Sequence, residues 1–246
     1  MKIKDGIYML ELTAHTMGTP ESVYPTLIVN GDSLVLIDTG LPGLESQIYE
    51  QIEQQGLSPN KLDTIIFTHQ DIDHVGNVHD MLEKANGNIK TFAHEVEKPY
   101  ISGEKTPVKL VKLQNNLENL PEQMKVVCNM LKAGFEKNRV AINETLTDGQ
   151  ELPYLGGITV IHTPGHTPGH ICLYVKEYKL LIAGDILWMF EGRLCRQDER
   201  FNDDSEAYKR SIEKLMGYDI ETVICYHGGI YDKDVNKRIT EIAGEL

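Results

Sequence analysis

The stretch Thr68-His69-Gln70-Asp71-Ile72-Asp73-His74-Val75-Gly76 decides how the rest of this 246-residue chain is read. It follows Leu62 to Phe67, a short apolar run suited to a buried strand, which delivers His69 at its C-terminal end. His69, Asp71, Asp73 and His74 then fall within six residues. Imidazole and carboxylate groups both bind borderline divalent cations such as zinc. From a loop, His69 and Asp71 at i and i+2 converge on one ion. The adjacent Asp73 and His74 diverge from that pair and are free to serve a second. The plainer alternative is a polar loop that caps the following helix, with Asp73 as N-cap.

Other strand ends favour the metal. Eight of the nine histidines lie beyond residue 68, so they are concentrated where strands end and turns begin. His162-Thr163-Pro164-Gly165-His166-Thr167-Pro168-Gly169-His170 follows an apolar strand, and its prolines and glycines fix a rigid turn. Ala183-Gly184-Asp185 ends a third strand with a carboxylate, and Tyr226-His227-Gly228-Gly229 ends a fourth with an imidazole. Four strand ends that each present a metal donor are hard to explain as core packing.

In this order the HxxxDH segment, the PGHT turn, the GD pair and the final H-G resemble the metallo-β-lactamase superfamily over residues 34 to 229. The resemblance implies that His69, Asp71 and His166 hold one metal, that Asp73, His74 and His227 hold a second, and that Asp185 bridges them. Asp38, in Ile37-Asp38-Thr39-Gly40, matches an aspartate that orients a ligand histidine in the family. Two divalent cations, zinc first, are then expected to lower the pKa of a bridging water and polarise a substrate oxygen. The resulting metal-bridged hydroxide attacks the electrophilic centre and the metals stabilise the oxyanion. Asp73 is the candidate catalytic group, steering the nucleophile or shuttling a proton while also binding metal. No GxSxG elbow is present, which leaves a covalent serine mechanism without support. Of the other histidines, His162 and His170 flank the turn as supporting residues, His94 lines a pocket at best, and His15 and His79 are surface or loop residues.

This sequence departs from the usual HxHxDH pattern: it reads HxDxDH, with Asp71 in place of the second histidine. Three carboxylates and a hydroxide cancel two divalent cations, whereas a histidine at 71 would leave +1. A weaker Lewis acid is therefore expected, and the harder oxygen donor makes manganese or iron competitive with zinc. A carboxylate at this place also resembles the flavodiiron branch, which does redox chemistry on iron. The 246 residues hold no flavodoxin segment after the metallo domain, which ranks that reading below hydrolysis. Trp188 stands three residues after Asp185, where acyl-homoserine lactonases of this fold carry tyrosine; Trp188, Met189 and Phe190 suggest an apolar wall. Thioesterases resembling glyoxalase II hold glutathione with basic residues, and Lys98, Lys105, Lys109 and Arg193 are the candidates, although no spacing singles one out.

Strand patterns at 6–13, 26–29 and 34–37 (with an Asn30-Gly31 turn), 62–67 and 89–93 alternate with helices at 44–55 and 75–85. The second half repeats the style, with strands at 158–162, 171–175, 180–183 and 222–226 and helices at 205–216 and 232–245. Two β-rich halves with interspersed helices predict an α+β fold, a four-layer αββα sandwich. It is expected as a single domain over residues 1–246, with a charged, proline-containing helical insertion at about 95–146 capping the site and one clear helix from about 122 to 135.

The balance of 24 basic and 37 acidic residues gives −13, a field that repels a phosphate backbone, so nucleic acid is not an expected partner. No apolar stretch is long enough to span a bilayer, and the start lacks a signal-peptide pattern. Four scattered cysteines without a CxxC pair fit a reduced, cytoplasmic protein. The expectation is a metal-dependent hydrolase of a small ester, thioester or lactone, with a homodimer admitted. The competing classes are a di-iron oxidoreductase and a catalytically silent ligand-binding member of the fold.

Overall fold

Alternation along the strands builds two sheets that pack face to face. The computed structural model describes residues 1–16 and 19–246. Its first half contains β1 (Lys2–Lys4), β2 (Ile7–Met9), β3 (Leu12–Thr16), β4 (Thr19–Val23), β5 (Thr26–Asn30), β6 (Ser33–Ile37), β7 (Leu62–Ile66), β8 (Lys90–His94) and β9 (Glu144–Leu146). The second half adds β10 (Glu151–Leu152), β11 (Ile158–His162), β12 (Ile171–Val175), β13 (Leu180–Ile182), β14 (Leu187–Phe190), β15 (Arg193–Arg196), β16 (Thr222–Cys225) and β17 (Gly229–Tyr231). The first sheet has the order β1-β2-β5-β6-β7-β8-β9 and the second β10-β11-β12-β13-β16-β17.

Side chains of period two assign each strand a face. On β6, Val35 and Ile37 join the core between the sheets, while Leu34 and Leu36 face outward to a second core. That outer core is completed by Ile48 and Ile52 of helix α1 (Glu45–Gln54) and, beyond the short helix α2 (Ile72–Val75), by Val78 and Met81 of α3 (Val78–Lys84). On β12, Ile171, Leu173 and Val175 point to the inter-sheet core, and Cys172 and Tyr174 point away from it. Three further helices, α4 (Lys98–Ile101), α5 (Val108–Asn115) and α6 (Glu122–Lys137), lie between β8 and β9. The outer face of the second sheet is covered by Tyr208, Ile212 and Leu215 of α7 (Ser205–Leu215) and by Ile239 and Ile242 of α8 (Val235–Gly244). The four layers are thus helix, sheet, sheet, helix, as the two β-rich halves predicted.

Several details differ from the sequence pattern. The run 6–13 is divided between β2, in the first sheet, and β3, which pairs with β4 in a separate ribbon. The helix expected at 75–85 begins earlier, at Ile72, and is broken at Gly76 and Asn77. A Cβ on Gly76 would lie 2.5 Å from the carbonyl oxygens of Gly40 and Ile72. The Asn77 side chain accepts from Gly43 and Leu44 N–H and donates to the Thr39 and Leu41 carbonyls, which ties the break to the loop after β6. The segment between β8 and β9 carries three helices where one was legible, with its own small core of Leu110, Cys128 and Phe135. Its last residues, 144–146, belong to the first sheet, where β9 pairs in parallel with β8.

Register brings the strand ends to one edge. In the first sheet β6, β7 and β8 are parallel, with Ile37 opposite Ile66 and Ile66 opposite Phe92. In the second, β13 and β16 are parallel with Ile182 opposite Ile224, so Asp185 and His227, each three residues further on, leave the sheet side by side. An Ile171 N–H donating to the Thr68 carbonyl links the two sheets at this edge.

Leu173 is fully buried between the sheets. Leu173→Ala is expected to cost about 2–5 kcal/mol through lost burial and a residual cavity. The measurement is the urea unfolding midpoint at unchanged slope; a change below about 1 kcal/mol would place Leu173 outside the load that joins the sheets.

Candidate metal centre

Each donor-bearing side chain sits just past a strand end, held there by neighbouring backbone. Asp38 follows β6 in the left-handed region (φ 63°), a strain of roughly 1–2 kcal/mol that aspartate tolerates better than most residues. The carboxylate accepts from the Thr68 N–H (2.8 Å), the Thr68 hydroxyl (2.7 Å) and His74 Nδ1–H (2.8 Å). Because Thr68 gives its proton to Asp38, its oxygen accepts from His69 Nδ1–H at 3.0 Å. Both imidazoles are therefore oriented with Nε2 facing the same interior space. Tyr226 stacks on His74 with centroids 3.8 Å apart, accepts from the Gly40 N–H and donates to the Asp73 carbonyl.

The donors form two groups that share one residue. Ligating atoms of His69, Asp71, His166 and Asp185 lie within 4.8 Å of one another, and so do those of Asp73, His74, Asp185 and His227. All seven residues expected to bind metal are thus brought together, with Asp185 common to both groups, and the assignment of ions to them is developed as a proposal below. Asp71 is the N-cap residue of α2 by position, but its side chain makes no capping bond, and Asp73 lies inside that helix. The carboxylates are committed to the cluster instead. Asp71 Oδ1 and His166 Nδ1 are buried without hydrogen-bond partners, and His74 Nε2 and Asp185 Oδ1 face only each other at 3.2 Å without a well-formed hydrogen bond. An unsatisfied buried polar group costs roughly 1–3 kcal/mol, so this density of orphaned donors fits a bound cation. The chemistry of the set, four imidazoles and three carboxylates, fits borderline divalent ions.

Electrostatics within the cluster are opposed and strong. Burial raises the Asp73 carboxyl, but His74 and His227 outweigh it and bring it to about 2. Burial pushes His227 down, yet Asp185 and Asp73 hold it at about 10. His166 falls to about 4 because burial and Lys109 both disfavour its charge.

Lys109, from α5, pairs with Asp71 Oδ2 and lies 3.1 Å from His166 Nε2, so the segment between β8 and β9 reaches directly into the donor cluster. Lys98, Lys105 and Arg193, its fellow candidates by residue type, make no ion pair with a cluster carboxylate among the described residues. Glu97 is a residue that sequence reasoning missed. Fully buried, it accepts from the Thr167 hydroxyl (2.6 Å), the Gly169 N–H (2.7 Å) and Gln70 Nε2 (2.8 Å). It therefore couples the HxDxDH loop to the PGHT turn. Its only sequence signal is a charged residue beside the expected strand end at His94.

The supporting histidines behave differently from one another. His170 Nε2 accepts from the Asp185 N–H at 3.0 Å, and a Cβ on Gly184 would lie 2.6 Å from that nitrogen, which explains the glycine before Asp185. His94 stacks on His162 with centroids 4.0 Å apart, away from the donors. His15 and His79 are exposed. Trp188 lies against His227, centroids 4.4 Å apart, and stacks with Phe201 at 6.3 Å, so the expected apolar wall stands beside the second donor group. Phe190 does not join it: it is 68% exposed.

The fold and this edge define a four-layer αββα protein with a buried cluster suited to metal. A model of the metallo-beta-lactamase superfamily matches residues 18–227, and the chain belongs to that superfamily. A probable metallo-hydrolase of Bacillus subtilis, YflN, is 29% identical over 229 residues, covering 87% of this chain and 83% of the relative. A hydroxyacylglutathione hydrolase of Rhizobium meliloti is 36% identical over 92 residues, 37% of this chain and 33% of the relative. A metallo-beta-lactamase family protein of Thermus thermophilus superposes with a TM-score of 0.76 at 22% identity, covering 98% of this chain and 79% of that one.

Two measurements test the surroundings of the cluster. Asp38→Asn keeps the shape but removes the charge that faces His74 and Thr68, and a loss of about 10–100-fold in metal affinity is expected; unchanged affinity would remove Asp38 from its orienting role. Burial, reinforced by His162, lowers His94 to about 4. The unfolded chain then takes up this proton near pH 6.5 and the folded chain only near 4, so stability falls as pH drops through that window. His94→Gln should remove up to about 3 kcal/mol of that fall at pH 4, read as a flatter slope of unfolding free energy against pH. Parallel slopes for the variant and parent would refute it.

Proposed function

We propose that this chain is a hydrolase of small esters, thioesters or lactones that works with two divalent metal ions, zinc first. The observation that carries this reading is the pair of donor groups joined at Asp185. On this reading His69, Asp71 and His166 would hold one ion, Asp73, His74 and His227 the other, and Asp185 would be shared by both. Divalent cations at such a centre supply Lewis acidity, polarising a carbonyl and making water a usable nucleophile at neutral pH.

The chain's own residues supply position and proton handling. Asp38 and Thr68 hold the two imidazoles of the HxDxDH segment in one tautomer. Asp73 is the carboxylate of the cluster with the greatest access to solvent, its side chain 20% exposed against 4% for Asp71 and 3% for Asp185. From there Asp73 Oδ2, 3.3 Å from His227 Nε2, is placed to accept a proton from the attacking water and pass it to the leaving group. Trp188 and Phe201 shield the His227 side and offer an apolar surface to a substrate. The relation to a hydroxyacylglutathione hydrolase supports the thioester within this class. The net charge of −13 supports a small-molecule substrate over nucleic acid. No helix among the described residues is long and apolar enough to cross a membrane. The cysteines are unpaired, three of them buried, which supports a cytoplasmic setting.

The test is a panel of lactones, thioesters, simple esters, phosphodiesters and β-lactams, run on protein reconstituted separately with zinc, manganese and iron. Turnover confined to the ester class is expected, and its absence with every metal would overturn the reading. Asp73→Asn should lower kcat by about 10²–10⁴-fold. The carboxylate Asp71 favours a second reading, redox chemistry at a di-iron centre. Stoichiometric iron with colour and redox activity would establish it, and Asp71→His should then shift bound metal toward zinc.

A further inference from the structure

Lys109 is a cation built into one half of the cluster. Its ammonium contacts Asp71 and lies 3.1 Å from His166 Nε2, two of the four donors of that half. Among the described residues no lysine or arginine pairs with Asp73, whose ion-pair partners are His74 and His227. The two halves therefore differ in a way that their ligand types alone do not show.

The position of Lys109 is fixed by the fold. The Val108 N–H at the start of α5 donates to Gln70 Oε1 at 2.8 Å, and Gln70 is held in turn by Glu97. One turn along, Lys112 donates to the Asn202 carbonyl at 3.1 Å and pairs with Asp203 at 3.0 Å. The Lys109 side chain is 31% exposed while Asp71 is 4% exposed, so the lysine spans from the surface to a buried carboxylate. Phe201 offers its ring 5.8 Å from Nζ along that route.

An ammonium hydrogen-bonded to a carboxylate oxygen and an imidazole nitrogen uses the same electron pairs that a metal ligand must donate. A metal entering that half has to displace it and then tolerate a neighbouring positive charge. We infer that Lys109 is a tethered cation that competes with metal for the Asp71 half, so that the half formed by Asp73, His74, Asp185 and His227 fills first. The inference rests on the two-metal reading above.

The experiment titrates metal-free protein with Co²⁺, followed by ligand-field absorption, and with Zn²⁺ by calorimetry. Two steps are expected, the weaker at least about tenfold below the tighter. His227→Ala should remove the tighter step and His166→Ala the weaker one. Lys109→Met should strengthen the weaker step by about tenfold or more and leave the tighter within about threefold, while Lys109→Arg keeps the gap. A merely structural role for Lys109 predicts weaker binding in Lys109→Met, the opposite direction. An unchanged or weakened second step, two equal steps in the parent, or loss of the tighter step in His166→Ala would overturn the inference alone. A parent protein that binds no metal would overturn the two-metal reading itself.

Discussion

Three carboxylates are forced together at one edge of the sandwich, and the surrounding structure is organised by that constraint. Ligating oxygens of Asp71 and Asp185, and of Asp73 and Asp185, lie within 4.8 Å. Two like charges about 4 Å apart repel by roughly 4 kcal/mol at an effective dielectric of 20. Burial prevents water from relieving this, so the compensating charge must come from the fold or from a bound cation. His74 and His227 answer part of it: Asp38, Asp185 and Asp73 raise His74 against its burial, and Asp185 and Asp73 raise His227. Lys109 supplies more. The inter-sheet core provides the opposing stability: paired strands whose facing side chains are mostly apolar hold these ends in place against their repulsion.

A supporting layer makes the cluster usable as well as tolerable. Asp38 and Thr68 each make bonds that exclude one tautomer, so both His69 and His74 present Nε2 inward. Glu97 spends its carboxylate on three donors from two separate loops, and through Gln70 it also fixes the start of α5. His170 packs beside His69, centroids 5.1 Å apart, and steadies the Asp185 backbone through its Nε2. These residues hold the donor segments through backbone groups and through contacts distant in sequence, so changes in them act on the geometry of the cluster without removing one of its donors.

The fold and the donors were legible in the sequence for a common reason. Strands such as Ile171 to Val175 are wholly buried and bounded by turn residues, and the metal-donor candidates lie in the segments that follow strand ends. The parts that were not legible depend on contacts between distant segments. Nothing local distinguishes Lys109 from Lys98 or Lys105; only the packing of α5 over Gln70 does so. Glu97 reads as one more surface acid until the turn at 163–170 folds onto it. The break between α2 and α3 is invisible to periodicity because it answers to the loop at residues 39–44, which Asn77 binds.

Lys109 also changes what Asp71 means. Taken alone, a carboxylate in place of the usual histidine lowers the charge of the centre by one and argues for a weaker Lewis acid. With Lys109 paired to it, Asp71 carries a compensating +1 at the same place, and the local charge returns to that of the histidine pattern. On the two-metal reading, this nearby positive charge acts against the expected loss of Lewis acidity, and it comes from the segment between β8 and β9. What remains of the departure is the hardness of the oxygen donor, which bears on manganese and iron against zinc. The chain thus separates two properties that a histidine at this position would tie together: total charge, to which the Lys109 ammonium contributes, and donor hardness, set by the Asp71 carboxylate.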